Sequence, residues 1–302
     1  MAIKPEIENV TVLGTGVLGS QIAYPSAYCG FPITAYDISD ERLDSAKHSF
    51  EELAAIYEQE VDGAADGPAR DALARIRGSA DLAEAVREAD LVIESIPEKL
   101  DLKRDVYAKL GRLAPEETIF ATNTSMLLPS ELAASTGRPE RFLAMHFANA
   151  IWKHNTAEIM GHAGTDPAVY QAVVEFARQI GMEPIELHTE QRGYILNSML
   201  TPWLDAAEHL LLDGVAEPET IDKTWRIATG MEHGPCEVMD MIGLTTIYEV
   251  NAVSDNEKTR AAGAYLKEHY IDKGKLGRAS GEGFYKYAHR ADDRPHNPRD
   301  RR

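Results

Sequence analysis

The sequence predicts an α/β domain in the first part of the chain, followed by an all-α domain. From Val10 to about Thr189, short β-branched runs alternate with helical stretches, which is the pattern of a sheet covered by helices. After Gly193, apolar residues recur at helical spacing only. Because 302 residues exceed the usual size of one domain, we place two domains at residues 1–189 and 190–302.

Seven apolar runs in the first part are predicted to be strands, and each has turn or cap residues beside it. They read VTVLG, PITAYD, DLVIESI, TIFATN, RFLAMHF, TAEIM and PIELH. Between the second and third runs, a charged stretch from Asp40 to about Ala89 predicts a helical pair. Glycine and proline at DGAADGPAR interrupt this pair.

The last third of the chain is predicted to be helical. YILNSMLTPWLDAAEHLLLDG lines up apolar residues on one face and stops at Gly214, and three later segments repeat the pattern. Because a domain of about 110 residues buries such faces incompletely, we expect a homodimer through these helices. From about residue 288 the chain has almost no apolar residues, so we expect a mobile tail.

The charge of the chain bears on its partners. Its 31 basic and 49 acidic residues give a net charge of -18, which repels phosphodiester backbones and anionic lipids. We expect a small-molecule substrate, no nucleic acid and no membrane. No apolar run approaches the roughly 18 residues of a membrane span, and no signal peptide is evident, so we expect a cytoplasmic protein. Cys29 and Cys236 are too far apart to form a metal site.

A glycine-rich segment follows the first predicted strand. GTGVLGSQIA places Gly14, Gly16 and Gly19 at G-x-G-x-x-G spacing before a helix, which suits a tight turn, a close approach to pyrophosphate and helix–strand packing. Asp37 ends the second strand, where an acid can accept hydrogen bonds from a ribose 2′-hydroxyl. These features predict a Rossmann-like domain that binds NAD. A purely structural glycine turn and a helix N-cap at Asp37 are the alternatives, and Arg42 keeps NADP open.

Two further residues form a candidate acid–base pair. His146 lies at the end of the run RFLAMHF, one residue before its last, and Glu158 follows 12 residues later in TAEIM, so a turn between the two strands can bring them side by side. An imidazole that accepts a hydroxyl proton becomes positively charged, and a carboxylate stabilises that charge. Ser125 and Asn197 are possible donors to the reacting oxygen. The alternatives are an incidental pair, a helix cap at Ser125 and a buried amide at Asn197.

At this point the sequence resembles the 3-hydroxyacyl-CoA dehydrogenase family, including its bacterial 3-hydroxybutyryl-CoA members. The resemblance covers nearly the whole chain, and its blocks are NVTVLGTGVLGSQIA, ADLVIESIPEKLDLKRDVYAKL, TIFATNTSMLLPS, RFLAMHFAN, GYILNSMLTPWLDAAEHL, GPCEVMDMIGLTTIYEV and SGEGFYKY. It implies a Rossmann-like domain with a helical dimerisation domain. It also implies reversible, NAD-dependent oxidation of the 3-hydroxyl of a short-chain 3-hydroxyacyl-CoA.

The same resemblance implies roles for individual residues. His146 is then the general base and Glu158 its partner, while Ser125 and Asn197 contact the substrate oxygen. The residues implied to contact NAD are Asp37, Glu98 and Lys103, with Asn123 and Ser125 near the nicotinamide.

The chain departs from the family around the substrate. Ala150 replaces a common proline after the histidine, and Trp152 and Lys153 follow it. Leu53 and Glu60 align with a serine and a lysine that face the CoA nucleotide, and an acid is unfavourable near a 3′-phosphate. Two other hypotheses therefore stay open: a dehydrogenase of a free 3-hydroxy acid, and a non-catalytic dinucleotide-binding protein.

Overall fold

The computed structural model describes residues 6–287, and the tail predicted from about residue 288 lies outside this range. The chain divides into two compact units, the first ending at Ile195 and the second beginning at Leu196.

The first unit is built on an eight-stranded sheet with the order β3-β2-β1-β4-β5-β6-β7-β8. Neighbouring strands are parallel except β6 and β7, which are antiparallel. The strands are β1 (Val10–Leu13), β2 (Ile33–Tyr36), β3 (Ile76–Ser79), β4 (Leu91–Glu94), β5 (Ile119–Thr122), β6 (Phe142–Phe147), β7 (Thr156–Met160) and β8 (Glu183–Leu187).

Helices cover the sheet, and several begin at a side chain that accepts a hydrogen bond from the first turn. Ser39, Asp81 and Asp166 are such N-caps. The helices are α1 (Val17–Tyr28), α2 (Asp40–Glu60), α3 (Pro68–Leu73), α4 (Leu82–Val86), α5 (Leu100–Leu113), α6 (Pro129–Leu132) and α7 (Pro167–Gln179).

The stretch predicted as a helical pair also contains a strand, β3. β3 reads IRGS, with one apolar residue, and it pairs only with β2 among the described strands. An edge strand has one neighbour and an exposed side, so it needs no apolar run and leaves little signal in the sequence. Two helices, α2 and α3, do form there, but the prediction was wrong after α3, where β3 and the short α4 follow.

Alternation along the strands builds a core on each face of the sheet. In β1, Val12 packs into one apolar cluster and Leu13 into the other, and in β4 the same holds for Ile93 and Val92. Both faces are therefore buried, as expected for a parallel sheet. The carboxyl ends of the strands open at one edge, where ligands of such folds bind.

The second unit is helical. The core of this unit contains Leu204, Ala207, Cys236, Met239 and Leu244, among others. Its helices are α8 (Tyr194–Leu212), α9 (Pro218–Thr229), α10 (Pro235–Ile242), α11 (Leu244–Ala252) and α12 (Glu257–His269), and α8 begins two residues before the unit does. The predicted class, a Rossmann-like domain followed by an all-α domain, is confirmed. Within residues 6–287, every helix is too short or too polar to cross a bilayer.

Candidate active site

In the glycine-rich turn between β1 and α1, two glycines are needed for close packing and the third faces open space. Gly14 has a φ of 88°, and a Cβ there would lie 2.5 Å from the Ser95 carbonyl oxygen. A Cβ on Gly19 would overlap the Gly14 carbonyl oxygen at 1.8 Å, whereas at Gly16 no described atom lies within 4 Å. The space beside Gly16, at the N-terminus of α1, fits a pyrophosphate.

Asp37 lies beside this turn, at the end of β2. Its Oδ2 accepts hydrogen bonds from the Thr15 backbone N–H at 2.9 Å and from the Thr15 hydroxyl at 2.7 Å. The N-cap of α2 is Ser39, so the alternative role of Asp37 as that cap is wrong. The exposed Arg42 lies with Nε 3.9 Å from Asp37 Oδ1. This position suits a contact to an adenosine ribose, and that contact stays a prediction.

The antiparallel pairing of β6 with β7 sets His146 directly opposite Glu158. His146 Nδ1 lies 3.0 Å from Glu158 Oε2, and both residues are only 5% exposed. In the tautomer of His146 that donates from Nδ1 to a carboxylate, Nε2 presents its lone pair. Ser125 Oγ lies 3.2 Å from that Nε2. The sheet therefore brings Ser125, His146 and Glu158 together.

Glu98 holds the turn that carries Ser125. Its Oε1 accepts hydrogen bonds from the Ser125 N–H at 3.1 Å, from the Met126 N–H at 3.0 Å and from the Thr124 hydroxyl. Burial by itself would raise the pKa of Glu98, but the Lys103 ammonium and these hydrogen bonds outweigh it and lower the pKa below its ordinary value. Glu98 is thus an ionised acceptor directly behind Ser125.

Lys103 is buried rather than solvent-exposed, and it lies between two carboxylates. It is 1% exposed, and its Nζ lies 2.6 Å from Glu94 Oε1 and 3.2 Å from Glu98 Oε2. Glu94, which was not predicted as a site residue, is fully buried and also accepts from the Thr122 hydroxyl at 2.8 Å. The sequence carried one signal of Glu94, an acid inside the apolar run DLVIESI. A carboxylate buried in this way needs a cation beside it. Contacts of Glu98 and Lys103 with NAD remain predictions.

The two predicted asparagines lie in different units. Asn123 is buried just after β5, and its Oδ1 accepts a hydrogen bond from the Phe147 N–H at 3.0 Å, which ties the ends of β5 and β6. Asn197 is a half-buried residue of α8 in the second unit. The roles of Asn123 near the nicotinamide and of Asn197 at the substrate oxygen stay predictions.

The loop after β6 is held by residues of α1 and α2. Ala150 has a φ of 58°, and its N–H donates to Gln21 Oε1 at 2.8 Å. Glu60, the last residue of α2, accepts from Trp152 Nε1 at 2.5 Å and from Lys153 Nζ at 2.9 Å. The Lys153 hydrogen bond lowers the pKa of Glu60, so Glu60 and Lys153 form an ion pair at this loop.

Leu53, the other departure on α2, is buried in the core and does not face a ligand. Within residues 6–287, no three His, Cys, Asp or Glu side chains lie close enough together to hold a metal ion.

The turn beside Gly16 and the buried histidine at the same edge of the sheet define the class, an NAD-dependent oxidoreductase. The profile of the 3-hydroxyacyl-CoA dehydrogenase NAD-binding domain matches residues 9–191, and that of the C-terminal domain of the same enzymes matches residues 193–287. The chain belongs to the 3-hydroxyacyl-CoA dehydrogenase family.

Curated relatives match over almost their whole length. The mitochondrial hydroxyacyl-coenzyme A dehydrogenase of Rattus norvegicus is 33% identical over 288 residues, which cover 93% of this chain and 91% of the rat protein. A probable 3-hydroxybutyryl-CoA dehydrogenase of Deinococcus radiodurans is also 33% identical, over 91% of this chain and 99% of the relative.

Solved structures include two that bear on the substrate. An (S)-3-hydroxybutyryl-CoA dehydrogenase from Ralstonia eutropha is 31% identical, with a TM-score of 0.80, and the match covers 94% of this chain and 100% of that one. The second is a diketoreductase that carries out substrate-directed dual catalysis of dicarbonyl compounds. It is 65% identical, with a TM-score of 0.91, and the match covers 93% of this chain and 99% of that one.

Proposed function

We propose that the chain catalyses the reversible, NAD-dependent oxidation of the 3-hydroxyl of a short-chain 3-hydroxyacyl-CoA to the 3-oxo compound. The observation that carries this proposal is the position of His146 between Ser125 and Glu158 at the carboxyl edge of the sheet. Binding of a dinucleotide alone does not need such a set, which argues against the non-catalytic hypothesis.

His146 acts as the general base in this proposal. Its Nε2 accepts the proton of the 3-hydroxyl, and Glu158 stabilises the resulting imidazolium through Nδ1. The Ser125 hydroxyl, 3.2 Å from Nε2 in this structure, donates to the substrate oxygen as its negative charge grows. Asn197 is assigned the same task. NAD supplies the acceptor for the hydride that leaves C3, and in reduction His146 returns the proton.

A second candidate is the same chemistry on a dicarbonyl compound without CoA, such as a free 3-oxo acid or ester. Two observations favour it: the 65% identity to a diketoreductase, and the Glu60 carboxylate that holds Trp152 and Lys153 beside the site. Glu60 neutralises Lys153, the cation that would otherwise attract a nucleotide phosphate. A 3-oxoacyl thioester is itself a 1,3-dicarbonyl, so both candidates require the same base and hydride transfer.

The experiment compares substrates that share an acyl group, and NADH consumption is recorded with acetoacetyl-CoA, acetoacetate and ethyl acetoacetate. The first proposal expects the highest kcat/KM for acetoacetyl-CoA. A kcat/KM for the acid or ester higher by about tenfold, a difference of about 1.4 kcal/mol, would move the assignment to the second candidate. No NADH consumption with any of the three would overturn both.

A charge reversal at Glu60 separates the candidates further. If Glu60 opposes CoA binding by neutralising Lys153, Glu60→Lys frees that cation and adds a second one. It then raises kcat/KM for acetoacetyl-CoA and leaves that for ethyl acetoacetate unchanged, because the ester carries no phosphate. Glu60→Gln is the matched control, since it removes the charge without adding a cation. A gain that is equal for both substrates would show that Glu60 acts on the loop and not on the nucleotide.

We also propose that the chain forms a homodimer through its helical unit, and that residues 1–189 bind the dinucleotide while residues 190–302 serve substrate binding and dimerisation. Support for the dimer comes from apolar side chains that the second unit leaves exposed, notably Ile227 at 74% and Met231 at 59%.

A further inference from the structure

The start of α8 has an unusual backbone. Gly193 has a φ of 75° and Tyr194 a φ of 54°, so two consecutive residues adopt the left-handed conformation. Glycine does so without strain, but a bulky side chain rarely does. Strain of this kind persists where the surroundings hold it, and it is often found beside functional groups.

Tyr194 packs directly against the proposed base. Its ring stacks on the His146 imidazole, with the ring centroids 4.4 Å apart and the planes inclined by 12°. The side chain is fully buried, and its hydroxyl donates to the Thr124 carbonyl oxygen at 2.8 Å. Thr124 immediately precedes Ser125, so one side chain contacts both the imidazole and the turn that carries the serine.

The next residue completes the set. The Ile195 N–H donates to Glu158 Oε1 at 2.9 Å, while Oε2 of the same carboxylate contacts His146. Tyr194 and Ile195 together therefore touch the imidazole, its carboxylate and the serine turn. A glycine at position 194 would form the same backbone without strain, so the observed residue points to a need for its side chain.

We propose that Tyr194 is a positioning residue of the reaction, a role that rests on the proposed function of His146. The Glu158 hydrogen bond fixes one nitrogen of the imidazole but leaves the ring free to tilt about that bond. The flat face of Tyr194 removes this freedom, so Nε2 stays directed at the hydroxyl of the substrate. The aromatic face also stabilises the positive charge that the ring gains.

Two variants separate the ring from its hydroxyl. Tyr194→Leu removes the aromatic face, and we expect kcat to fall about tenfold to a hundredfold because the base is no longer aligned. Tyr194→Phe keeps the face and loses one neutral hydrogen bond, so kcat stays within about threefold of the parent. The Kd of NADH changes little in both variants. Hydride transfer becomes slower in Tyr194→Leu, so the primary deuterium isotope effect on kcat rises.

Tyr24 offers a matched control, because it is equally buried and its hydroxyl donates to a backbone carbonyl, that of Ala69 at 2.6 Å. Tyr24→Leu should lower Tm as Tyr194→Leu does, without the loss of kcat or the rise in isotope effect. If Tyr24→Leu and Tyr194→Leu lowered kcat equally, or if Tyr194→Leu kept the parental kcat, the inference would be wrong.

A double-mutant cycle tests whether Tyr194 acts through the base. In a Glu158→Gln background the imidazole has already lost its orienting carboxylate, so Tyr194→Leu should lower kcat by a much smaller factor than in the parent. If the factors by which the two substitutions lower kcat simply multiplied in the double variant, the inference would be contradicted. Its failure is distinguishable from failure of the proposed function, because the latter shows as parental turnover in His146→Gln, whatever residue 194 is.

Discussion

At the residue scale, the site depends on side chains that each need a partner. His146 is oriented by Glu158, and Ser125 is held by Glu98. Glu98 is kept ionised by Lys103, whose own charge is balanced by the buried Glu94. The histidine and its glutamate could be picked out of the sequence because they lie in two consecutive predicted strands that a turn can bring side by side. Glu94 left only the signal of an acid inside an apolar run, and Tyr194 left none, since both act through contacts that strand and helix patterns do not encode.

Replacing the base tests the reaction at this scale. His146→Gln should lower kcat by a factor of about 10² to 10⁴, the usual contribution of a general base, while the Kd of NADH stays nearly constant. Steady-state rates and a fluorescence titration with NADH measure the two quantities. His162→Gln is the control, because His162 Nε2 contacts the Pro139 carbonyl oxygen and lies on another loop. Parental turnover in His146→Gln would refute the mechanism.

The acid beside the glycine turn gives a prediction about cofactor choice. Asp37→Ala should raise the Kd of NADH by about tenfold, since charge-assisted hydrogen bonds to the ribose are lost. The Kd of NADPH should change less, because the aspartate repels a 2′-phosphate and Arg42 remains beside it. Asp40→Ala, on the exposed start of α2, serves as the control. Equal losses for the two cofactors would argue against a ribose contact.

At the scale of elements, strand pairing brings the residues of the site together. β6 and β7 are the antiparallel neighbours in an otherwise parallel sheet, and their register alone sets His146 opposite Glu158. The existence of these two strands was predictable from their apolar runs, whereas that of β3 was not, because its one-sided pairing needs no apolar pattern. Register and edge position are set by neighbouring strands, and a single run does not contain them.

Another contact between elements, α8 with α11, makes the stability of the helical unit depend on pH. Glu208 of α8 is 2% exposed, and both its oxygens accept from Asn251 Nδ2, at 3.0 and 2.9 Å. Burial, partly offset by Asn251, raises the pKa of Glu208 from 4.5 to about 7. Between these values the folded state binds a proton that the unfolded chain has released, so stability falls as pH rises.

Glu208→Gln should remove that dependence. The variant should gain about 1 to 3 kcal/mol relative to the parent at pH 8 and match it near pH 4.5, because the amide cannot ionise and still accepts from Asn251. Denaturant unfolding at a series of pH values measures the difference. Glu249→Gln, an exposed residue of α11, should follow the parent at every pH. A constant difference between Glu208→Gln and the parent across this range would contradict the assignment.

At the scale of the whole molecule, the chain combines a nucleotide-binding unit with a helical unit that leaves apolar surface exposed. Sedimentation equilibrium should give twice the mass of one chain, and a double variant with Ile227→Glu and Met231→Glu should give a single chain. Leu113→Glu, at an exposed apolar residue that ends α5 in the first unit, should leave the dimer intact. A monomeric parent, or a double variant that remains dimeric, would overturn the proposed dimer.

The sequence by itself determined the class of fold, the family, the cofactor and the identity of the candidate base, because hydrophobic period, the glycine spacing and long local blocks all lie along the chain. Only the tertiary structure decided how that base is held. The stack of Tyr194 on His146, the burial of Lys103 between Glu94 and Glu98, and the Glu60 contact over the loop after β6 join segments distant in sequence. Such contacts follow from strand order, register and packing, which no local pattern specifies.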